Sequence, residues 1–143
     1  IHLELARAHD LPLQIHDRDA HQDTLLVLHR AASRSQDVIF HSFSGDADMA
    51  RHIRDRGWYA SFSGPLTYPA NGHLREAFLE MPRELVLVET DAPYLPPVPY
   101  RGSPNASYVM THTVRFMAEL WQESAEETAR ILMDNSCHVY GGH

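Results

Sequence analysis

Leu85-Val86-Leu87-Val88-Glu89-Thr90-Asp91 is the stretch that decides how this sequence folds. A short apolar run ends in two carboxylates, and the prolines that follow prevent a strand from continuing. Three earlier segments share this composition and are bounded by polar or turn residues: 11–16, 37–43 and 58–64. Because segments of helical character lie between them, the sequence predicts strands that alternate with helices.

The strand ends repeat at a regular interval along the chain. They fall near positions 16, 41, 64 and 91, a period of about 25 residues, as expected for βα units with short loops. A complete (β/α)8 barrel needs about 250 residues, and this chain has 143. We therefore expect an α/β fold that is half of a TIM-type barrel, with four parallel βα units and C-terminal helices. An open flavodoxin-like sheet could be built from the same strands, and periodicity alone does not separate the two.

The length predicts a single domain over residues 1–143. The first residue is Ile1, and residues 1–9 have the pattern of the end of a helix. We expect a fragment or a processed chain, so that the domain is one half of a longer barrel.

Helix boundaries are marked by capping residues. Asp19 and Asp46 stand where they could cap the helices that follow the first two strands, and Gly57 is expected to end the second of these helices. Ser124 precedes Glu127 by the spacing of a capping box, which predicts the start of the last helix.

Composition limits the classes of function. The chain is 43% hydrophobic and 22% charged, values typical of folded domains rather than of disordered chains. A formal net charge of −7 argues against a protein that binds nucleic acid through a broad basic surface. No apolar run approaches the roughly 18 residues of a membrane span, and no signal peptide is visible, so we expect a cytoplasmic protein without membrane contact.

Residues capable of binding a metal stand at the predicted strand ends. Alternation along a strand places His16 on the face of Gln14, and Asp91 on the face of Glu89. By the same alternation His41 is expected to share its face with Ile39 and Phe43. Barrel enzymes carry their chemistry at the C-terminal ends of the strands. Two neutral imidazoles and one carboxylate converging there would suit a divalent metal.

Four motifs carry a resemblance to a known family. They are Leu11-Pro12-Leu13-Gln14-Ile15-His16-Asp17-Arg18-Asp19-Ala20, His41-Ser42-Phe43-Ser44-Gly45, Glu89-Thr90-Asp91-Ala92-Pro93-Tyr94-Leu95, and Arg101-Gly102 with Asn105. In order and spacing they resemble the C-terminal half of the TatD family of metal-dependent hydrolases, with Ser42 where the family commonly has Cys. The resemblance implies a distorted TIM barrel, one or two divalent metals and a hydrolytic activity most often described as DNase.

The resemblance also implies residue roles. His16 and His41 match metal ligands, and Asp91 matches the carboxylate that binds metal and acts as the base toward the attacking water. The family's His-x-His motif and a Glu from its N-terminal half have no counterpart in this sequence. We expect at most one ion here and up to two in a complete protein. The metal could be Zn²⁺, Mn²⁺ or Mg²⁺, and the ligand set suits the first two better than Mg²⁺.

Several further residues are candidates for contacts around the metal. Glu89 is expected to position a ligand or an arginine, and Asn105 to order its loop. Arg18 and Arg101 could each bind a phosphate or form an ordinary salt bridge.

Backbone groups and the other histidines complete the candidate set. Ser44 and Gly45 precede a helix start and could donate backbone N–H groups to an anion. The histidines on helices or their flanks are expected to be surface residues: His21, His29, His52, His73 and His112.

The resemblance to the TatD family implies a phosphodiesterase, specifically a deoxyribonuclease, and the acidic net charge favours DNA ends or single strands that enter a pocket. An alternative on the same scaffold is an aminoacyl-tRNA deacylase or another ester or amide hydrolase. A different alternative is an inactive half-barrel that must associate with its missing half or with a copy of itself, because two strand edges would be exposed.

Overall fold

The computed structural model describes residues 1–32 and 35–141. Within these residues the strands are β1 (Leu13–His16), β2 (Val38–His41), β3 (Tyr59–Phe62) and β4 (Val86–Val88). The α-helices are α1 (His2–Ala8), α2 (His21–Ala31), α3 (Ala47–Asp55), α4 (Gly72–Glu80), α5 (Met110–Trp121) and α6 (Ala125–Tyr140). Short 3-10 turns cover Gly64–Thr67, Arg83–Leu85 and Ser107–Val109. None of the helices described is long and apolar enough to cross a membrane.

The four strands form one parallel sheet in the order β1-β2-β3-β4. This confirms the prediction that the strands are parallel and adjacent in sequence order. A flavodoxin-like sheet, with strand order 2-1-3-4-5, would place β1 between β2 and β3, so that alternative is wrong. The register pairs His16 with His41, and both imidazoles therefore stand at the same end and on the same face of the sheet.

The two faces of the sheet bury different sets of side chains. One face packs against α2 to α6 through a large apolar cluster that includes Phe40, Phe62, Phe78, Met117 and Trp121. The other face carries a smaller cluster of Ile39, Tyr59, Leu87 and Val139. Each large apolar side chain buried in this way contributes on the order of 1.5–3 kcal/mol. The helix-covered face therefore holds most of the stabilising core.

Two predictions about the strand ends are wrong. Phe43 is buried in the helix-covered cluster rather than on the face of His41, because Ser42 has a φ of 42° and interrupts the alternation. The fourth strand does not reach Asp91: it ends at Val88, and Asp91 has a φ of 55°. A positive φ is incompatible with continued β-structure, so a turn rather than a strand sets the direction of the carboxylate.

The capping residues predicted from the sequence are confirmed at two helices and wrong at one. The side chain of Asp46 accepts the Met49 amide and caps α3, and Ser124 accepts the Glu127 amide at the start of α6. Asp19 does not cap α2, because its φ of 55° places it in a turn. The carboxylate of Asp17 instead accepts the amide of Ala20 at 3.3 Å.

The proline-rich loop after Asp91 lies against Gly64. A Cβ atom at Gly64 would come within 2.1 Å of the Leu95 carbonyl oxygen and 2.7 Å of the Pro97 nitrogen. Only glycine allows this approach of two backbones, and the approach fixes the loop over the end of β3.

Candidate metal centre

Glu89 contacts His41 across the intervening strand. Glu89 follows β4, and its amide donates to the carbonyl of Phe62 at 3.1 Å. Its Oε1 lies 2.7 Å from Nδ1 of His41, which ends β2. Ser61 of β3 lies on the same face by alternation, and its small side chain leaves room for the contact. Glu89 therefore contacts the imidazole of His41; that it positions a metal ligand stays a prediction.

The contact fixes which nitrogen of His41 is available to a ligand. Two lone pairs at 2.7 Å would repel each other, so the geometry favours a proton on Nδ1 and a free lone pair on Nε2. Oε1 of Glu89 is buried and forms no well-aligned hydrogen bond within the described residues, so the contact with Nδ1 of His41 is a bent one. The negative charge of the carboxylate makes the neutral imidazole a better electron donor.

Asp91 lies on the other side of the His41 ring. Its Oδ1 is 3.6 Å from Nε2 of His41, a separation that leaves room for a shared cation. Potential ligand atoms of His41, Glu89 and Asp91 all lie within 4.8 Å of one another. The side chains of His41 and Asp91 are about 20% and 33% exposed, so an ion bound there would be partly shielded yet reachable by substrate.

His16 lies beside this cluster rather than inside it. Its ring centroid is 5.8 Å from that of His41, and its side chain is exposed on the edge strand β1. His16 lines the same cleft as His41 and Asp91. The structure thus brings His41, Glu89 and Asp91 together and leaves the role of His16 as a ligand a prediction.

The donor set fits a divalent cation. A neutral imidazole nitrogen, a carboxylate oxygen and a second imidazole nearby are borderline ligands that suit Zn²⁺ or Mn²⁺. The buried Oε1 of Glu89 lies 2.7 Å from Nδ1 of His41, where a carboxylate could orient an imidazole toward a metal.

Tyr140 reaches the same face of the sheet from α6. Its hydroxyl donates to Oε1 of Gln14 at 3.0 Å. Partial burial raises the pKa of Tyr140 above its ordinary value, and the negative charge of Glu89 adds to the shift. The hydroxyl therefore stays a neutral donor around neutral pH.

A cleft of about 320 Å³ opens over His16, His41 and Asp91. Arg18 lines it and is exposed, a position from which it could contact an anion. His73, at the start of α4, also lines the cleft. His73 is exposed, as the sequence predicts. Its place beside the cleft has no local signal, because only the tertiary arrangement brings α4 to this end of the sheet.

Ser44 and Gly45 have structural roles that the sequence did not indicate. The Ser44 hydroxyl donates to the Asp17 carbonyl at 3.2 Å and joins the loops that follow β1 and β2. A Cβ atom at Gly45 would come within 2.4 Å of the Met49 sulfur, so glycine is needed there for packing. That their amides bind an anion stays a prediction.

Arg101 lies outside the residues that line the cleft. Its guanidinium is stacked 4.3 Å from the ring centroid of Tyr68, and that Arg101 binds a phosphate stays a prediction. Asn105 orders its loop as predicted: its Nδ2 donates to the carbonyls of Thr90 and Tyr94, both at 2.6 Å. These two bonds join the residues on either side of Asp91.

The other helix histidines differ in their surroundings. His29 and His52 are exposed as expected. His21 is half-buried, with its Nδ1 2.8 Å from Oδ2 of Asp17. His112 is half-buried with its ring edge against Tyr100. His21 therefore helps to fix the loop after β1 instead of facing solvent freely.

Comparison with known proteins identifies related chains. The family model described as "TatD related DNase" matches residues 1–141. An "Uncharacterized metal-dependent hydrolase TatD" from Mycobacterium tuberculosis is 47% identical over 140 residues, which cover 98% of this chain and 53% of the relative. The "Uncharacterized metal-dependent hydrolase YcfH" of Escherichia coli is 35% identical over 139 residues, with coverage of 97% and 52%.

A solved structure agrees with these sequence relatives. The crystal structure of YjjV, a TatD homolog from Escherichia coli, superposes with a TM-score of 0.88 at 30% identity, covering 96% of this chain and 53% of that one. The present chain thus spans about half the length of the relatives it matches. Because the family model extends over nearly every residue that carries the fold and the metal-binding geometry, this chain belongs to the TatD related DNase family.

Proposed function

We propose that this chain supplies the C-terminal ligands of a divalent-metal centre that hydrolyses phosphodiester bonds of DNA. The observation that carries the proposal is the arrangement of Glu89, His41 and Asp91: Glu89 Oε1 is 2.7 Å from Nδ1 of His41, and Asp91 Oδ1 is 3.6 Å from its Nε2. A His that contacts one carboxylate and faces a second is the arrangement expected of a metal ligand whose tautomer and orientation are fixed by a neighbouring group.

Each residue has a distinct task in the proposed reaction. Glu89 keeps the proton on Nδ1 of His41, so that Nε2 of His41, together with His16, would hold a divalent cation. Asp91 orients the attacking water and accepts its proton. A bound divalent cation would supply a water acidic enough to lose a proton near neutral pH and would polarise a phosphoryl oxygen.

DNA is the substrate class that we favour. The family to which the chain belongs is described as TatD related DNase, and Arg18 lines the cleft where a phosphate would lie. The net charge of −7 disfavours a long electrostatic contact with a duplex, so we propose that the substrate enters as a strand end or a single strand.

We further propose that the chain is the C-terminal half of a (β/α)8 barrel and forms a single unit over residues 1–143. Sequential strand order, with the large helix-covered cluster on one face of the sheet, supports this architecture. The edge of β1 is available for pairing with further strands, either of the remaining half or of a second copy. A second metal would need ligands from that half.

The test is a hydrolysis assay on end-labelled oligonucleotides, single-stranded and duplex, with an aminoacyl-tRNA in parallel. We expect metal-dependent shortening of the single strand that is lost with a chelator and restored by Zn²⁺ or Mn²⁺. Metal-dependent release of the amino acid with the oligonucleotides intact would instead establish the ester-hydrolase alternative. Light scattering on the same preparation gives the oligomeric state in which the activity is measured.

A further inference from the structure

Tyr94 is an exposed aromatic residue next to the candidate metal centre. It lies three residues after Asp91, and its side chain is 69% exposed. Its neighbour Leu95 lines the cleft together with His41 and Asp91. A large solvent-exposed ring beside the candidate metal centre is a candidate contact for substrate.

The backbone that carries Tyr94 is fixed relative to Asp91. The Tyr94 amide donates to the Asp91 carbonyl at 2.9 Å, closing a turn that holds the two Cα atoms within about 7 Å of each other. Asn105 binds the carbonyls of Thr90 and Tyr94, and its own amide donates to Pro93 at 2.9 Å. An aromatic side chain on a rigid backbone loses little conformational entropy when it binds.

The next residue holds the loop in an unusual backbone conformation. Leu95 has a φ of 53°, a region that bulky residues avoid and that persists only where the surroundings impose it. Its carbonyl lies against Gly64. The turn that presents Tyr94 is therefore part of the built structure of the site.

The charge distribution indicates what kind of contact substrate needs. The net charge is −7, the cleft contains Asp17 and Asp91, and Arg101 is stacked on Tyr68. Phosphate contacts alone would hold a strand weakly on such a surface. Stacking of bases on aromatic rings supplies affinity that does not depend on a basic surface.

We propose that Tyr94 stacks on the nucleobase adjacent to the phosphodiester that is hydrolysed. The proposal rests on the proposed function and deepens it, because it states what the site selects: a base whose face is free. Bases inside a duplex have both faces covered, whereas a single strand or a frayed end offers one. Stacking ignores base identity and the sugar, so unpaired DNA and unpaired RNA should bind the ring alike.

The experiment compares two substitutions at one position with two matched strands. The variants are Tyr94→Phe, which keeps the ring, and Tyr94→Leu, which keeps apolar bulk without it. The strands are single-stranded oligonucleotides that end either in 2-aminopurine or in an abasic sugar, each as DNA and as RNA. The measurements are 2-aminopurine quenching with chelator present, and kcat and KM with metal present.

We expect Tyr94→Leu to weaken binding and raise KM for the strand with a terminal base by about tenfold, with little change in kcat. Tyr94→Phe should behave as wild type, and the abasic strand should be insensitive to both. Met133→Ser removes another exposed apolar side chain, on α6, and should leave the binding and KM of both strands unchanged. Equal affinity of the wild-type protein and Tyr94→Leu for the strand with a terminal base would overturn the stacking role. So would a rise in KM for the abasic strand as large as that for the strand with a terminal base.

Failure of the inference is distinguishable from failure of the proposed function. If Tyr94→Leu cleaves the single strand as well as the wild-type protein does, the proposed function stands and the stacking inference fails. A wild-type protein that cleaves none of the strands loses the function, whatever the quenching shows. Preferential binding of the RNA over the DNA strand would also contradict stacking as the selective contact.

Discussion

Asn105 and Asn135 each donate hydrogen bonds to two backbone carbonyls, and they do so at opposite ends of β4. The Nδ2 of Asn105 donates to the carbonyls of Thr90 and Tyr94, both at 2.6 Å. The Nδ2 of Asn135, on α6, donates to the carbonyls of Arg83 and Val86 at 2.7 and 2.8 Å. Both side chains are buried, so each satisfies two backbone groups, but only Asn105 adjoins the candidate metal centre.

This relationship makes one asparagine the control for the other. Asn105→Ala and Asn135→Ala should each lower the free energy of unfolding by about 1–3 kcal/mol, because buried carbonyls lose their donors. Only Asn105→Ala should also weaken metal binding, since it releases the turn around Asp91. Chemical denaturation and metal titration measure the two effects. Equal loss of metal affinity in both variants would show that the effect is general destabilisation.

Metal binding should depend on His41 more than on His16. His41 faces Asp91 at 3.6 Å and is held by Glu89, whereas His16 lies outside the cluster. In a Zn²⁺ titration by calorimetry, His41→Ala should abolish the main site and His16→Ala should weaken it. Binding that survives both substitutions would refute this ligand set.

Asp91→Asn should remove hydrolysis and leave the fold largely intact. The amide can still reach the ion through one oxygen, although weakly, but it cannot accept a proton from water. Glu89→Gln is the comparison: it removes a charge from the same cluster without removing the proposed base, and should reduce metal affinity by about 10- to 100-fold. Activity of Asp91→Asn within a few-fold of wild type at saturating metal would exclude Asp91 as the base.

Much of this architecture could be read from the sequence, because its signals are local. Apolar runs ending in His16 and His41 mark two strand ends, and Asp46 and Ser124 mark helix starts through hydrogen bonds within one turn. The consecutive strand order follows from the short βα repeat. These features involve residues close in the chain, where pattern and geometry are directly linked.

The remainder depended on tertiary contacts or on individual backbone angles. Phe43 changed faces because Ser42 adopts a positive φ, which composition does not reveal. Asp19 does not cap α2 for a similar reason, since its φ is also positive, and α2 has no side-chain cap. His73 reached the cleft only because α4 begins at that end of the sheet.

Gly64 and Gly45 allow a final test of how the proline-rich loop supports the site. A Cβ atom at Gly64 would meet backbone, 2.1 Å from the Leu95 oxygen, whereas one at Gly45 would meet mainly side chains, 2.4 Å from the Met49 sulfur. Backbone cannot move without displacing the loop, while a methionine side chain can change rotamer. Gly64→Ala should therefore lower metal affinity and kcat together. Gly45→Ala should cost about 1–3 kcal/mol of stability with near-normal metal affinity.

Thermal unfolding and metal titration on both variants separate the effects. A Gly64→Ala protein that binds metal as wild type does would show that the turn around Asp91 holds its shape without support from Gly64.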